Sequence, residues 1–120
     1  MATDTAAHHR WNDIAAEQIN ATIARQYITA DRVTIARFDL KRGGVVPRHA
    51  HENEQVSVVL SGALLFRIEG REITVRGGEV MQIPGNVAHE VEVLEDTLVM
   101  DVFSPVRQDW IDKTDTYFRR

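Results

Sequence analysis

Apolar and polar residues alternate along most of the chain, and this period of two predicts short β-strands rather than helices. The clearest segment is 33–40, in which every second side chain shares one face: Thr34, Ala36, Phe38 and Leu40. Further strands are expected at 27–29, 56–60, 64–69, 72–75, 80–83, 91–93 and 97–103, with alternation also at 19–24. Glycines or polar pairs at 43–44, 61–62, 70, 77–78 and 95–96 predict turns.

The two ends of the chain are expected to be less regular. Residues 1–10 predict a flexible arm, and residues 109–117 a short helix or a tail that packs through Trp110 and Phe118. No repeat or linker interrupts the pattern between them. Many short strands at regular spacing indicate one all-β domain of 120 residues, built as a small barrel or sandwich.

Composition excludes several classes of function. With a net charge of −4 and no basic stripe, the chain is not expected to bind nucleic acid. It contains no cysteine, which rules out disulfides, cysteine-ligated zinc and a thiol nucleophile. No segment is apolar enough for a membrane span or a secretory signal, so we expect a cytoplasmic protein with no membrane partner.

Three histidines and one glutamine are candidate metal ligands. His49 and His51 lie two residues apart in a segment that reads as β, so both side chains are expected on one strand face. Gln55 has the same parity, and His89 follows the bend at 84–86. Three imidazoles and an amide oxygen suit one divalent transition metal, with Zn, Ni, Mn and Fe(II) all acceptable. Metal affinity should fall as the histidines become protonated.

Four other residues could compete for this role. Glu52 and Glu54 would offer carboxylates if their loop shifted, but they are expected to be solvated. His8 and His9 belong to the N-terminal arm and are also expected to face solvent.

The spacing of the candidate ligands resembles the two motifs of the cupin family. Residues 43–62 resemble the first motif, with Gln55 where the family usually has Glu. Residues 78–89 resemble the second, with Asn86 in place of its usual Gly and Val93 in place of a following Asn. The resemblance covers residues 33–103. It implies a double-stranded β-helix, or jelly-roll, with the metal ligands inside the barrel.

A second group of candidate residues lies in the last predicted strand and just beyond it. Asp101 and Phe103 share one face of that strand, and Arg107 follows Pro105. A carboxylate beside a metal pocket suits general acid–base catalysis, and an arginine at the barrel mouth could bind a substrate carboxylate. The alternative is a core phenylalanine, an aspartate in a salt bridge at the rim and a surface arginine.

The four ligands and the segment Asp-x-Phe-Ser-Pro-x-Arg together resemble the KdgF-type cupins of pectin and alginate degradation. This implies a metal-dependent isomerase that converts 4,5-unsaturated monouronates into linear keto-deoxyuronates, with Asp101, Phe103 and Arg107 in the active site. The small-molecule substrate would be a carboxylated sugar. Two alternatives stay open: another metal cupin enzyme, such as a dioxygenase or a polyketide cyclase, or a non-catalytic cupin that binds a small molecule.

Small cupins commonly form homodimers, and the resemblance implies one here. Residues 10–29 would add a strand to the partner's barrel, because their apolar alternation exceeds what one small barrel can bury.

Overall fold

The computed structural model describes residues 5–115, which form eight strands, one 3₁₀ turn and one short helix. The 3₁₀ turn covers Trp11–Asp13 and helix α1 covers Gln108–Ile111. The strands are β1 (Glu17–Gln18), β2 (Ile23–Thr29), β3 (Thr34–Leu40), β4 (Val45–His49), β5 (Glu54–Ile68), β6 (Arg71–Arg76), β7 (Val80–Ile83) and β8 (His89–Ser104). The predicted all-β fold is therefore confirmed. No helix within residues 5–115 is long and apolar enough to cross a membrane.

All strand pairs are antiparallel, and the sheet order is β1-β2-β3-β8-β5-β6, with β4 also paired to β8 and β7 to β5. The two long strands, β5 and β8, pair along almost their whole length, from Glu54↔Ser104 to Ile68↔His89. β8 also pairs with β4 near its beginning and with β3 near its end. It therefore connects both of these strands to β5.

The turns predicted at 61–62 and 95–96 are wrong, since both pairs lie inside the continuous strands β5 and β8. Register irregularities between Val59 and Leu64 bend β5 at this point. Gly62 has a φ of 97°, and a Cβ atom on it would lie 2.4 Å from the Asp96 carbonyl oxygen. The glycine thus serves a close approach of two bent strands rather than a chain reversal.

Alternation along the strands sorts side chains into the barrel as predicted. In β3 the buried positions are those expected from the sequence: Thr34, Ala36, Phe38 and Leu40. In β8 the odd-numbered positions are buried in both halves: His89, Val91 and Val93, then Val99, Asp101 and Phe103. Polar groups therefore reach the interior at each end of β8, on a face that otherwise carries core residues.

The N-terminal segment folds onto its own chain. β1 pairs with β2, and the Gln26 side-chain amide donates to the carbonyls of Trp11 (2.8 Å) and Ile14 (2.7 Å). Residues 5–10 are exposed and carry no helix or strand. The homodimer in which residues 10–29 add a strand to the partner's barrel stays a prediction, and sedimentation velocity at micromolar concentration measures whether a dimer forms.

The C-terminal segment closes one side of the barrel. Its helix α1 buries Trp110, which is 1% exposed and packs against Tyr27, Phe38 and Phe103. The predicted packing through Trp110 is thus present, and α1 falls in the first part of the predicted 109–117 segment. Phe118 lies outside the described residues.

Candidate metal centre and substrate cavity

The three candidate histidines come together inside the barrel. His49 ends β4 and lies opposite His89, the first residue of β8. One ring nitrogen from each of His49, His51 and His89 lies within 4.8 Å of the other two, a spacing that could hold a metal ion. The predicted cluster is therefore formed, and Glu52 and Glu54 are exposed beside it.

One detail of that prediction is wrong, because His49 and His51 do not share a strand. β4 ends at His49, and His51 lies in the loop before β5. This loop is tied to the 84–86 bend rather than to a neighbouring strand, since the backbone N–H of Asn86 donates to the His51 carbonyl at 2.7 Å. The loop, and not the strand period, brings His51 to the other histidines.

Each histidine has a backbone carbonyl oxygen against its Nδ1 atom: His49 with Pro47 (2.7 Å), His51 with Asn53 (3.1 Å) and His89 with Val87 (2.8 Å). A carbonyl only accepts, so in His49 and His89 the Nδ1 atom carries the proton and Nε2 keeps its lone pair. His51 faces an acceptor oxygen at both ring nitrogens and has one proton for the two. Metal-binding histidines commonly donate their other N–H to a carbonyl in this way.

The atoms on the inner side of the cluster fit a bound cation. Gln55 Oε1 lies 3.1 Å from His51 Nε2. The Gln55 amide nitrogen faces Ser57 Oγ (2.9 Å) and Asp101 Oδ2 (3.5 Å), which sets the orientation of the amide. When the His51 proton is on Nδ1, two lone-pair atoms face each other, an arrangement that a shared cation stabilises. His89 Nε2 is buried and has no hydrogen-bond partner among the described residues.

Burial keeps these histidines neutral. It lowers the pKa of His49 from 6.5 to about 3 and that of His51 to about 4, with neighbouring histidines and the Arg107 cation adding to the effect. Burial lowers the pKa of His89 as well. Protons should therefore compete with a metal at a lower pH than free histidine would suggest.

We expect the free energy of unfolding of the metal-free chain to fall as the pH drops below the ordinary histidine value. The unfolded chain binds protons with a pKa near 6.5, whereas the folded chain keeps His49 and His51 neutral down to about pH 4. Each of these two contributes about 1.4 kcal/mol per pH unit in that window. Asp101 has the opposite effect, because its pKa is raised from 3.8 to about 6 in the folded chain and its protonation stabilises the fold as the pH falls through that range. One carboxyl group offsets the destabilising effect of only one histidine.

Urea unfolding of metal-free protein at about pH 5 to pH 8 measures this slope. His51→Asn should reduce the slope by about 1.4 kcal/mol per pH unit. An identical slope in that variant would show that burial does not hold His51 neutral.

Asp101 and Phe103 face the same interior as the histidines. Asp101 pairs with Ser57 across the β5–β8 ladder, and burial raises its pKa to about 6, while the Ser57 hydroxyl and the Arg107 cation act in the opposite direction. Its Oδ1 atom is buried and has no partner within residues 5–115. Phe103 is 2% exposed and meets the His51 ring edge-on, with centroids 5.6 Å apart.

Arg107 is buried and lines the cavity, so the alternative of a surface arginine is wrong. It is 1% exposed, and Asp109 accepts from its Nε (2.9 Å) and Nη2 (2.7 Å). Its guanidinium also lies over the rings of Phe103 (4.7 Å) and Trp110 (4.4 Å). Burial is possible because Asp109 balances the charge and the two rings cover the apolar surface of the group.

Most of these groups line one cavity of about 40 Å³, and His51 lies beside it through its contacts with His49 and His89. Its polar lining is His49, Gln55, Ser57, His89, Asp101 and Arg107, and its apolar lining includes Phe38, Phe66, Phe103 and Trp110. That volume is far below the roughly 300 Å³ at which ligand pockets usually begin, so a ligand of more than a few atoms can enter only if the lining moves.

Sequence reasoning missed three residues of this site. Ser57 follows Gln55 by two positions on β5, so the strand period could have placed it inside. Asn53 donates from its side chain to the carbonyls of Pro105 (2.5 Å) and Val106 (3.1 Å), and so ties the His51 loop to the segment before Arg107. The third residue is Asp109, which pairs with Arg107. Neither this ion pair nor the Asn53 contact has a signal in the sequence pattern.

Comparison with known proteins agrees with this architecture. The pectin degradation protein KdgF of Dickeya dadantii (strain 3937) is 28% identical over 98 residues, which cover 79% of this chain and 89% of that protein. The structure of KdgF from Halomonas sp. has a TM-score of 0.77 and 27% identity, covering 82% of this chain and 94% of that one.

A further solved structure supports the fold alone. The RmlC-like cupin from Shewanella frigidimarina NCIMB 400 has a TM-score of 0.81 at 22% identity, covering 88% of this chain and 96% of that one. These relatives confirm the predicted jelly-roll. Residues 36–104 match the cupin domain family. The chain therefore belongs to the cupin family.

Proposed function

We propose that this cupin is a metal-dependent isomerase that opens the ring of a 4,5-unsaturated monouronate to give a linear keto-deoxyuronate. The observation that carries the proposal is that a buried carboxyl group and a buried arginine line one cavity with His49 and His89, two of the three clustered histidines. The similarity to the KdgF proteins supports a uronate, because pectin is a polymer of galacturonic acid. Metal-dependent loss of the ultraviolet absorbance of the conjugated double bond tests the proposal.

The proposed ligands of one divalent transition metal are His49, His51, His89 and Gln55. With the proton of each ring on Nδ1, a lone pair is left on each Nε2, and Gln55 presents its oxygen to the same region. All four donors are neutral, so the site keeps the full positive charge of the ion. When bound, the ion would act as a Lewis acid toward an oxygen of the substrate.

The proposed reaction is an isomerisation that moves one proton. The ring bond between C1 and the ring oxygen breaks, and the C1 hydroxyl loses its proton as C1 becomes an aldehyde. The ring oxygen leaves as the enolate oxygen on C5. That enolate becomes a ketone when C4 gains a proton, so substrate and product have the same formula. One residue that accepts the proton of the C1 hydroxyl and supplies a proton to C4 is therefore sufficient for the proton transfer.

Asp101 is the proposed proton-transfer group. Its Oδ1 is buried without a partner among the described residues, and the residue lines the cavity beside Gln55. A carboxyl group that is not tied up by a hydrogen bond on one oxygen can exchange a proton with a bound ligand. Phe103 forms the wall next to it and helps to keep water from the reacting carbons.

Arg107 is the proposed partner of the substrate carboxylate. Its guanidinium is fixed by Asp109, Phe103 and Trp110, so it offers a cation in a set position inside the cavity. A charge-assisted contact of this kind is formed in the ground state and the transition state alike.

We expect Arg107→Ala to raise KM for a 4,5-unsaturated monouronate by roughly 10- to 100-fold, with a smaller effect on kcat. Steady-state kinetics on metal-replete protein measure both constants. Arg48→Ala is the matched control, because Arg48 is an exposed arginine on β4 that does not line the cavity. An unchanged KM in the Arg107 variant would remove Arg107 from substrate binding.

A further inference from the structure

Three buried side-chain atoms within residues 5–115 have no hydrogen-bond partner, and all three belong to residues that line the same cavity. They are His89 Nε2, Asp101 Oδ1 and Trp110 Nε1. Native proteins contain few such atoms, and each one calls for an explanation. The proposed function accounts for the first two, as a metal ligand and a proton-transfer group. It gives no role to the indole N–H of Trp110.

The indole ring is held rigidly in the cavity wall. Trp110 is 1% exposed, and the guanidinium groups of Arg25 and Arg107 lie 4.3 Å and 4.4 Å from its ring centroid. Arg25 is itself fixed by ion pairs to Glu17 (2.7 Å) and Asp115 (3.0 Å). The ring therefore cannot turn its N–H toward solvent without breaking this stack.

We infer that Trp110 Nε1 is a hydrogen-bond donor to the substrate, and that its acceptor is an oxygen of the sugar acid whose carboxylate Arg107 binds. A buried N–H without an acceptor costs free energy, whereas a phenylalanine would fill a purely packing role without that cost. Trp110 and Arg107 line the same small cavity, so a ligand that contacts the guanidinium there also lies beside the indole. The identity of the ligand rests on the proposed function, but the donor role of the indole does not.

Nuclear magnetic resonance tests the donor role without turnover. The chain has two tryptophans, and Trp11 lies in the 3₁₀ turn away from the cavity. In a Trp11→Phe chain the single indole N–H signal therefore belongs to Trp110. Titration of the metal-replete protein with D-galacturonate, a saturated uronate, should move this signal downfield in a saturable way. D-Galactose, which has no carboxylate, should move it far less.

Kinetics test the same role with a change of one atom. In the Trp11→Phe chain, Trp110 can be replaced by 3-benzothienylalanine, which keeps the bicyclic shape but has sulfur in place of N–H. KM for 4,5-unsaturated galacturonate should rise about tenfold, the worth of one hydrogen bond to a charged acceptor, with kcat and metal content nearly unchanged. A role in packing alone predicts an unchanged KM, because the shape is preserved.

These experiments distinguish a failure of the donor role from a failure of the proposed isomerisation. If the indole signal moves with galacturonate but the wild-type chain turns over no unsaturated uronate, the donor role stands and the proposed isomerisation fails. If turnover is normal while saturating galacturonate leaves the indole signal in place, or the sulfur analogue keeps the wild-type KM, the donor role is overturned and the isomerisation stands.

Discussion

Replacing Asp101 by Asn is expected to lower kcat on a 4,5-unsaturated monouronate by roughly 10²–10⁴-fold while metal content stays the same. Asn keeps the shape of the side chain but cannot accept and return a proton. The variant should still fold, because burial opposes the charge of Asp101, as its raised pKa of about 6 indicates. Steady-state kinetics and elemental analysis on the same preparation measure both quantities.

Asp39→Asn is a suitable control, because Asp39 is an exposed aspartate on β3 and does not line the cavity. It should leave kcat unchanged. Full activity in Asp101→Asn would end the proton-transfer role and leave Asp101 as a structural residue between Gln55 and Ser57.

The second large effect is expected at the histidines. His51→Ala and His89→Ala should each remove the metal, and the double variant should bind none. Because a ligand that binds only the native state stabilises it by mass action, metal at 100 times its Kd should stabilise the wild type by about 2.7 kcal/mol, or roughly 10 °C in Tm. That gain should be absent in both variants. Thermal unfolding with and without added metal measures it.

His9→Ala controls for the loss of a histidine as such, since His9 is exposed and lies outside the cluster. It should bind one metal per chain like the wild type. If the double variant His51→Ala/His89→Ala keeps stoichiometric metal, the site is elsewhere, and His8 and His9 become the candidates to examine.

The alternation of apolar and polar residues along the strands predicted much of the fold. It placed Thr34, Ala36 and Phe38 on the inner face of β3, and it placed Asp101 beside Phe103 inside β8. It could not show that β5 and β8 continue through 61–62 and 95–96. Glycine and acidic pairs favour turns locally, but here the pairing of two long strands overrides that preference and uses Gly62 for close contact.

The motif spacing predicted which histidines form the cluster, but not which part of the backbone positions each of them. His51 reaches the cluster through a loop whose carbonyl is held by Asn86, a contact between residues 35 positions apart. The sequence predicts Arg107 at the barrel mouth, with a surface position as the alternative, because nothing in the pattern signals its buried partners. Its burial depends on Asp109 and Trp110, which α1 brings back onto the barrel after Pro105. Contacts of this kind arise from tertiary packing and leave no periodic signal.

In the proposed function, a metal ion and an unsaturated uronate meet in this cavity. The most direct measurement pairs elemental analysis of purified protein with an assay of 4,5-unsaturated galacturonate, before chelation, after chelation and after metal is restored. We predict one divalent transition metal per chain, and loss of the double-bond absorbance that stops on chelation and returns with metal. Metal-replete wild type that leaves every unsaturated uronate unchanged would contradict the claim, and oxygen consumption by the Fe(II)-loaded protein would then favour a dioxygenase.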